Sequence, residues 1–149
     1  MSAFALFFSF RGRINRARYW FAMLVLTGIV AVLGVSIGYL DDGRGWTDYA
    51  VLALVFLVVV YSGFAVSAKR LHDRDKSGWL LLYLLAPALI LAPAEAMQNR
   101  LIVLAGTLFS WAVSIWFLIE LGILPGSAGP NRFGEDPLAR GFDSRLPSK

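Results

Sequence analysis

Tyr19 to Leu40 is a run of 22 residues without a charged side chain. As an α-helix rising 1.5 Å per residue it reaches about 33 Å, and a bilayer's hydrocarbon core is about 30 Å thick. A second uncharged run begins at Tyr49, and Lys69 and Arg70 close it where cations favour the C-terminal end of a helix dipole. Backbone amides in hydrocarbon must be satisfied within their own segment, so runs of this kind fold as helices. Composition agrees, because 58% of the 149 residues are hydrophobic, 16% are charged, and the charges sit in blocks between the apolar runs. The pattern predicts an all-α membrane protein. With no cysteine, disulfides, thiolate metal sites and a cysteine nucleophile are excluded. The net charge of +4 does not call for nucleic acid, since basic residues at span ends follow from membrane topology.

Two further apolar runs complete a four-helix transmembrane bundle in one membrane domain, 1–149, with spans at about 19–40, 49–70, 78–94 and 101–124. The third is short for a span, and Pro87 in its middle is expected to kink it or free a carbonyl. Asn15 and Thr47 are the expected N-caps of the first two helices, and Asp75 is suitably placed near the start of the third. The 14 Lys and Arg fall four, one, four, one and four across residues 1–18, 41–48, 69–78, 95–100 and 125–149. The positive-inside rule then places both termini in the cytoplasm, with two short exported loops. Residues 3–18 combine Phe4, Phe7 and Phe8 at i, i+3, i+4 spacing with Arg11, Arg13, Arg16 and Arg18, which predicts a short interfacial helix followed by headgroup contacts. Turn residues Pro125, Gly126, Gly129, Pro130 and Gly134 predict an ordered cytoplasmic loop that opens a tail, 125–149, with a disordered end.

Three charged stretches face the same side in this topology. They are Phe10-Arg-Gly-Arg-Ile-Asn-Arg-Ala-Arg-Tyr-Trp20, Arg70-Leu-His-Asp-Arg-Asp-Lys-Ser-Gly-Trp79 and Gly129-Pro-Asn-Arg-Phe-Gly-Glu-Asp-Pro137. Their sequence and order resemble the motifs of the bacterial domain-of-unknown-function family numbered 805, with Leu80 in place of a frequent Trp and Glu135 in place of a frequent Pro. The resemblance covers nearly the whole chain. It implies a small bacterial inner-membrane protein and brings no reaction with it.

The candidate functional cluster is Arg70, His72, Asp73, Asp75, Ser77, Trp79 and Glu120. His72 with Asp73 and Asp75 contains the groups used for general acid–base chemistry or metal binding, but one histidine and two carboxylates make a thin set. The plainer reading makes Arg70–Asp73 and Lys69–Asp73 helix pairs and Trp79 an interface anchor, with no catalytic residue, metal or cofactor assigned. Glu120 is the one charge inside the fourth run; near the span's end it can snorkel or pair with a basic residue such as Arg70, which avoids most of the about 2.5–3.5 kcal/mol that a mid-span charge costs. Lipid phosphate or another anion is expected at Arg11, Arg13, Arg16, Arg18, Lys69, Arg74, Lys76, Asn131 and Arg132. Small residues at Gly34 and Gly38, and at Gly106, Ser110 and Ser114, offer close packing to another helix, a protein partner or a second copy.

Three functions compete on these residues. An interaction or scaffold module presents its basic cytoplasmic face to anionic lipid and a partner protein, and needs no hidden chemistry. A small transporter or channel subunit needs polar residues deep in the spans, where Thr27, Ser36, Ser62, Thr107, Ser110 and Ser114 are few. An interfacial enzyme acting on a lipid headgroup needs His72, Asp73 and Asp75 together.

Overall fold

The computed structural model describes residues 1–39 and 45–139, without the side chains of residues 38, 39, 94 and 95. Residues 41–44 of the loop expected to be exported, and the end of the tail expected to be disordered, lie outside the described residues. The chain is all α. A short helix α1 (Ala3–Phe8) is capped by the Ser2 hydroxyl, which accepts from the Ala5 N–H at 3.2 Å. After a turn through Gly12 at φ +93°, α2 (Arg16–Tyr39) starts with the Asn15 carboxamide oxygen accepting from the Arg18 N–H at 3.0 Å. α3 (Trp46–Asp73) starts earlier than a Thr47 cap would allow. Its N-cap is Gly45, and the Asp48 carboxylate accepts from the Gly45 N–H at 3.3 Å.

The third apolar run does not form one kinked helix. Ser77 caps a 3-10 segment (Gly78–Leu85), which passes at Ala86 into α4 (Ala86–Ala96). Pro87 therefore sits at the junction of the 3-10 segment and α4, and Pro93 is the proline inside the helix. Asp75 lies in the turn before this segment at φ +55° rather than at a helix start. α5 (Arg100–Phe117) is capped by Asn99 and continues into a π-helical segment (Leu118–Ile123). Beyond it the tail makes a tight loop closed by Asn131 and Gly134, whose backbones exchange two hydrogen bonds of 3.0 Å.

Three helical stretches, Arg16–Ile37, Trp46–Asp73 and Arg100–Ile123, are long and apolar enough to cross a membrane, and Gly78–Pro93 is a shorter apolar one. The chain runs up and down, so the end of α1, the start of α2, the end of α3, the 3-10 segment and the π segment share one end of the molecule. The buried apolar core is at that end: Ile14, Tyr19 and Ala22 meet Val66, Leu71 and Leu81 under Phe117 and Leu121. Towards the other end, α2 packs on α3 and α4 on α5. Gly106 permits the second pairing, since a Cβ there would lie 2.9 Å from Leu91 and 3.2 Å from Ile90. The outward faces carry large apolar side chains such as Leu24, Leu54, Leu89 and Leu101, as a surface in contact with lipid tails requires.

Candidate functional site

Helices that end near a membrane surface leave carbonyls without intrahelical partners, and those carbonyls must find donors. Here the donors are the motif arginines and lysines. Lys69, fully buried in the last turns of α3, donates to the Ala5 carbonyl at 2.7 Å and to that of Leu6, and so ties α1 to α3. Its expected helix pairing with Asp73 is absent. Arg70, also fully buried, donates through Nε to the Leu121 carbonyl at 2.8 Å and through Nη2 to that of Leu124. Trp20 Nε1 donates to the Gly122 carbonyl at 3.1 Å, and Arg16 Nη1 to the Ile123 carbonyl at 3.1 Å. Four successive carbonyls at the end of the π segment thus each receive a side-chain donor from α2 or α3.

Asp73 is the acceptor at the centre. Its carboxylate pairs with Arg70 one turn earlier and accepts from Arg13 Nε at 3.1 Å. The rest of the Arg13 guanidinium draws in the tail: Nη2 donates to the Ser127 carbonyl at 2.6 Å, and Nη1 to those of Gly129 at 2.7 Å and Gly134 at 3.2 Å. Ser127 returns its own N–H to the Asp73 carbonyl at 2.8 Å. One carboxylate between two guanidinium groups leaves excess positive charge in a buried place, and the negative ends of the helices and tail carbonyls offset it. Gly126 is needed for the approach, because a Cβ there would run into the Asp73 carboxylate; at Gly122 it would lie 2.6 Å from the Trp20 ring.

A second ion cluster flanks the first. Glu120, nearly fully buried, holds Arg74 Nε at 3.0 Å and Lys76 Nζ at 2.7 Å. These contacts are ionic rather than well-aligned hydrogen bonds, and Arg74 Nη1 is buried without one. Glu120 thus takes basic partners near the span's end, though not Arg70, which is engaged with Asp73 and two carbonyls. On the opposite side the His72 ring stacks on Phe133 at 3.9 Å with 6° between planes, and its Nδ1 faces the Gly12 carbonyl at 3.3 Å. The Asn131 amide donates to the His72 carbonyl at 2.9 Å, and Arg132 pairs with exposed Asp75 at 3.1 Å. Asp136 caps the tail loop: the N–H of Leu138, and also that of Gly129, hold its carboxyl below the usual 3.8.

The sequence-predicted residues therefore separate. Arg13 and Lys69, expected on lipid phosphate, are sealed inside because their charges satisfy carbonyls; Arg74 is largely covered by Glu120. Arg11, Arg16, Arg18 and Arg132 are exposed, and Lys76 is partly so. His72, Asp73 and Asp75 do not face one another: the first is stacked on Phe133, the second held between arginines, the third paired with Arg132. Ser77 accepts from the Trp79 N–H at 3.4 Å, and Trp79 itself is exposed. No three His, Asp or Glu among the described residues are placed to hold a metal ion. Within the spans Thr107 donates to its own helix at Val103, 2.8 Å away. Gly34 has open space around it, Gly106 is filled by α4, Ser110 is half-buried and Ser114 exposed; Gly38 lies in α2 where side chains are not described. Sequence reasoning missed Arg13 as the tail's anchor, and with it Gly126, Trp20 and Asp136. The one signal was the small residues Ala65, Ser67 and Ala68 just before Lys69 and Arg70, which allow close packing around two long cations.

Three long apolar helices, a shorter one and a charge knot joining their shared end define a small multi-pass membrane protein. The family described as "Protein of unknown function (DUF805)" matches residues 7–135, and the chain belongs to it. Among curated relatives from Escherichia coli (strain K12), it is 31% identical to "Inner membrane protein YhaH" over 132 residues, 86% of each chain. It is 28% identical to "Uncharacterized protein YiiR" over 131 residues, 87% of this chain and 86% of the relative. It is 27% identical to "Inner membrane protein YhaI" over 129 residues, 86% of this chain and 85% of the relative. No solved structure matches. The protein is thus a small multi-pass inner-membrane protein.

Proposed function

We propose that the chain is a four-span interaction module whose knotted end lies on the cytoplasmic side and presents a basic face to anionic lipid and a partner protein. The observation that carries this reading is the division of the motif cations: Arg13, Lys69 and Arg70 hold the fold together from within, while Arg11, Arg16, Arg18 and Arg132 remain on the surface of the same end. The dispersal of His72, Asp73 and Asp75 argues against an interfacial enzyme, since no two of them converge on one reacting atom. The fourth span is supported by length. The eight-residue 3-10 segment rises about 2 Å per residue and the eleven-residue α4 about 1.5 Å, together about 32 Å, enough for a hydrocarbon core. The positive-inside distribution then puts residues 1 and 149 in the cytoplasm, within one membrane domain. A partner helix or second copy meets the module along α2, where a Cβ on Gly34 would touch nothing within 4 Å.

Native mass spectrometry of the purified chain tests the lipid reading. Anionic phospholipids are expected to co-purify and to be released by salt, because exposed charges are screened within about 8 Å at physiological ionic strength. Retention unchanged by high salt and by Arg11→Gln with Arg18→Gln contradicts it.

A further inference from the structure

Beside the knot, an open cavity of about 510 Å³ runs between α3 and the 3-10 segment. Tyr61, Phe64 and His72 form its floor along one stripe of α3, Phe10 and Phe133 wall it, and Trp79 stands at its rim. From Tyr61 to His72 the helix rises about 16 Å, about half the thickness of a hydrocarbon core. Its lining is mostly apolar, with the Tyr61 hydroxyl taken up by the Phe8 carbonyl at 3.2 Å, while Ser77 and His72 are polar and lie toward the end where basic residues gather. There Arg132 lies over the Phe133 ring at 4.9 Å, on a ring already stacked on His72. Arg11 precedes Gly12, whose carbonyl faces His72, and among the described residues its guanidinium has no hydrogen-bond or ion-pair partner. Gly78 lets the 3-10 segment close on α3 at this end, since a Cβ there would lie 3.2 Å from Ala68 and 3.5 Å from His72 Nε2.

We infer that this groove seats one acyl chain of an anionic phospholipid of the adjacent leaflet, with the headgroup phosphate held at the Arg11 and Arg132 end. The inference rests on the reading that this end of the module engages anionic lipid, and assigns that lipid a place. Depth of one leaflet, apolar lining below and cations above match a phospholipid's own order of parts. A helix of 10–12 Å diameter would lie across such a cavity rather than in it. Asp75 engages two nitrogens of Arg132, Nε through its carboxylate at 3.1 Å and Nη2 through its carbonyl at 2.6 Å, but the Arg132 side chain is 60% exposed and Nη1 is left to donate.

The test uses the full chain in mixed micelles with phosphatidylglycerol carrying a diazirine at the end of one acyl chain. Crosslinks are expected at Tyr61, Phe64 and Leu82, competed by unlabelled phosphatidylglycerol and poorly by phosphatidylcholine. Arg11→Gln and Arg132→Gln should each weaken retention about fivefold. Leu82→Trp, which fills the groove from its exposed rim, should remove the crosslinks and one retained lipid; Phe10→Ala, outside the spans, should lower labelling by opening a wall. Labelling spread over all spans without competition overturns the groove. So does arginine-dependent retention that Leu82→Trp and Phe10→Ala leave intact, which would keep the basic face and discard this site. Absence of any salt-sensitive retention overturns both. A lipid-free dimer that Leu82→Trp dissociates would give the groove to a second copy and likewise overturn the lipid assignment.

Discussion

At Asp73 a single carboxylate balances Arg13 and Arg70, and none of the three side chains has appreciable contact with solvent. Removing one member of a buried ion set leaves the others uncompensated, which costs about 3–5 kcal/mol. Asp73→Asn and Arg70→Ala are therefore expected to lower the thermal midpoint in detergent sharply; Arg18→Gln, on the surface, should leave it nearly unchanged. Gly126→Ala should destabilise as well, because its methyl group enters the space of the Asp73 carboxylate. Asp136 supplies a pH dependence. Its folded carboxyl titrates below 3.8, so its ionised form stabilises the tail loop at neutral pH. That contribution is lost as pH falls from about 3.8 through the lower folded value. The difference in thermal midpoint between the chain and its Asp136→Asn variant should hold above pH 5 and shrink below pH 4; a constant difference down to pH 2.5 would place Asp136 outside the loop's hydrogen bonds.

Among the elements, α1 is too short to be stable alone, and Lys69 supplies the donors for its last carbonyls. Lys69→Met is expected to raise hydrogen exchange over residues 3–8 while exchange in α2 and α5 stays slow; equal protection in both proteins would show that lipid or packing, not Lys69, holds the helix. Glu120 near the end of its run pairs with basic residues, as its position suggested, but the partners are Arg74 and Lys76 rather than Arg70, which Asp73 and two carbonyls occupy. The three long apolar helices were legible, since length and hydropathy are properties of a continuous stretch. Asn15 as a cap was legible for a similar local reason. The 3-10 start of the third run was not, because tertiary approach at Gly78 and not local propensity selects it. Nor was the burial of Arg13 and Lys69, which depends on carbonyls far away in sequence.

For the whole molecule, the three motifs become one object. Each supplies a part that is meaningless alone: Arg13 and Trp20 from the first, Arg70 and Asp73 from the second, the Gly129 to Gly134 carbonyls from the third. The start of the tail is thereby fastened to the helix ends, and Arg11, Arg16, Arg18 and Arg132 are exposed at the same end. Reporter fusions after Lys149 and between residues 41 and 48 should report opposite sides of the membrane, the first cytoplasmic. The central claim, that Arg13 holds the tail-bearing end together through Asp73 from within, is tested most directly by a double-mutant cycle. Arg13→Gln, Asp73→Asn and the double variant are compared with the parent chain by unfolding in detergent. A coupling of about 1–3 kcal/mol is expected for two buried partners 3.1 Å apart. Single variants whose effects add to within about 0.3 kcal/mol would contradict it.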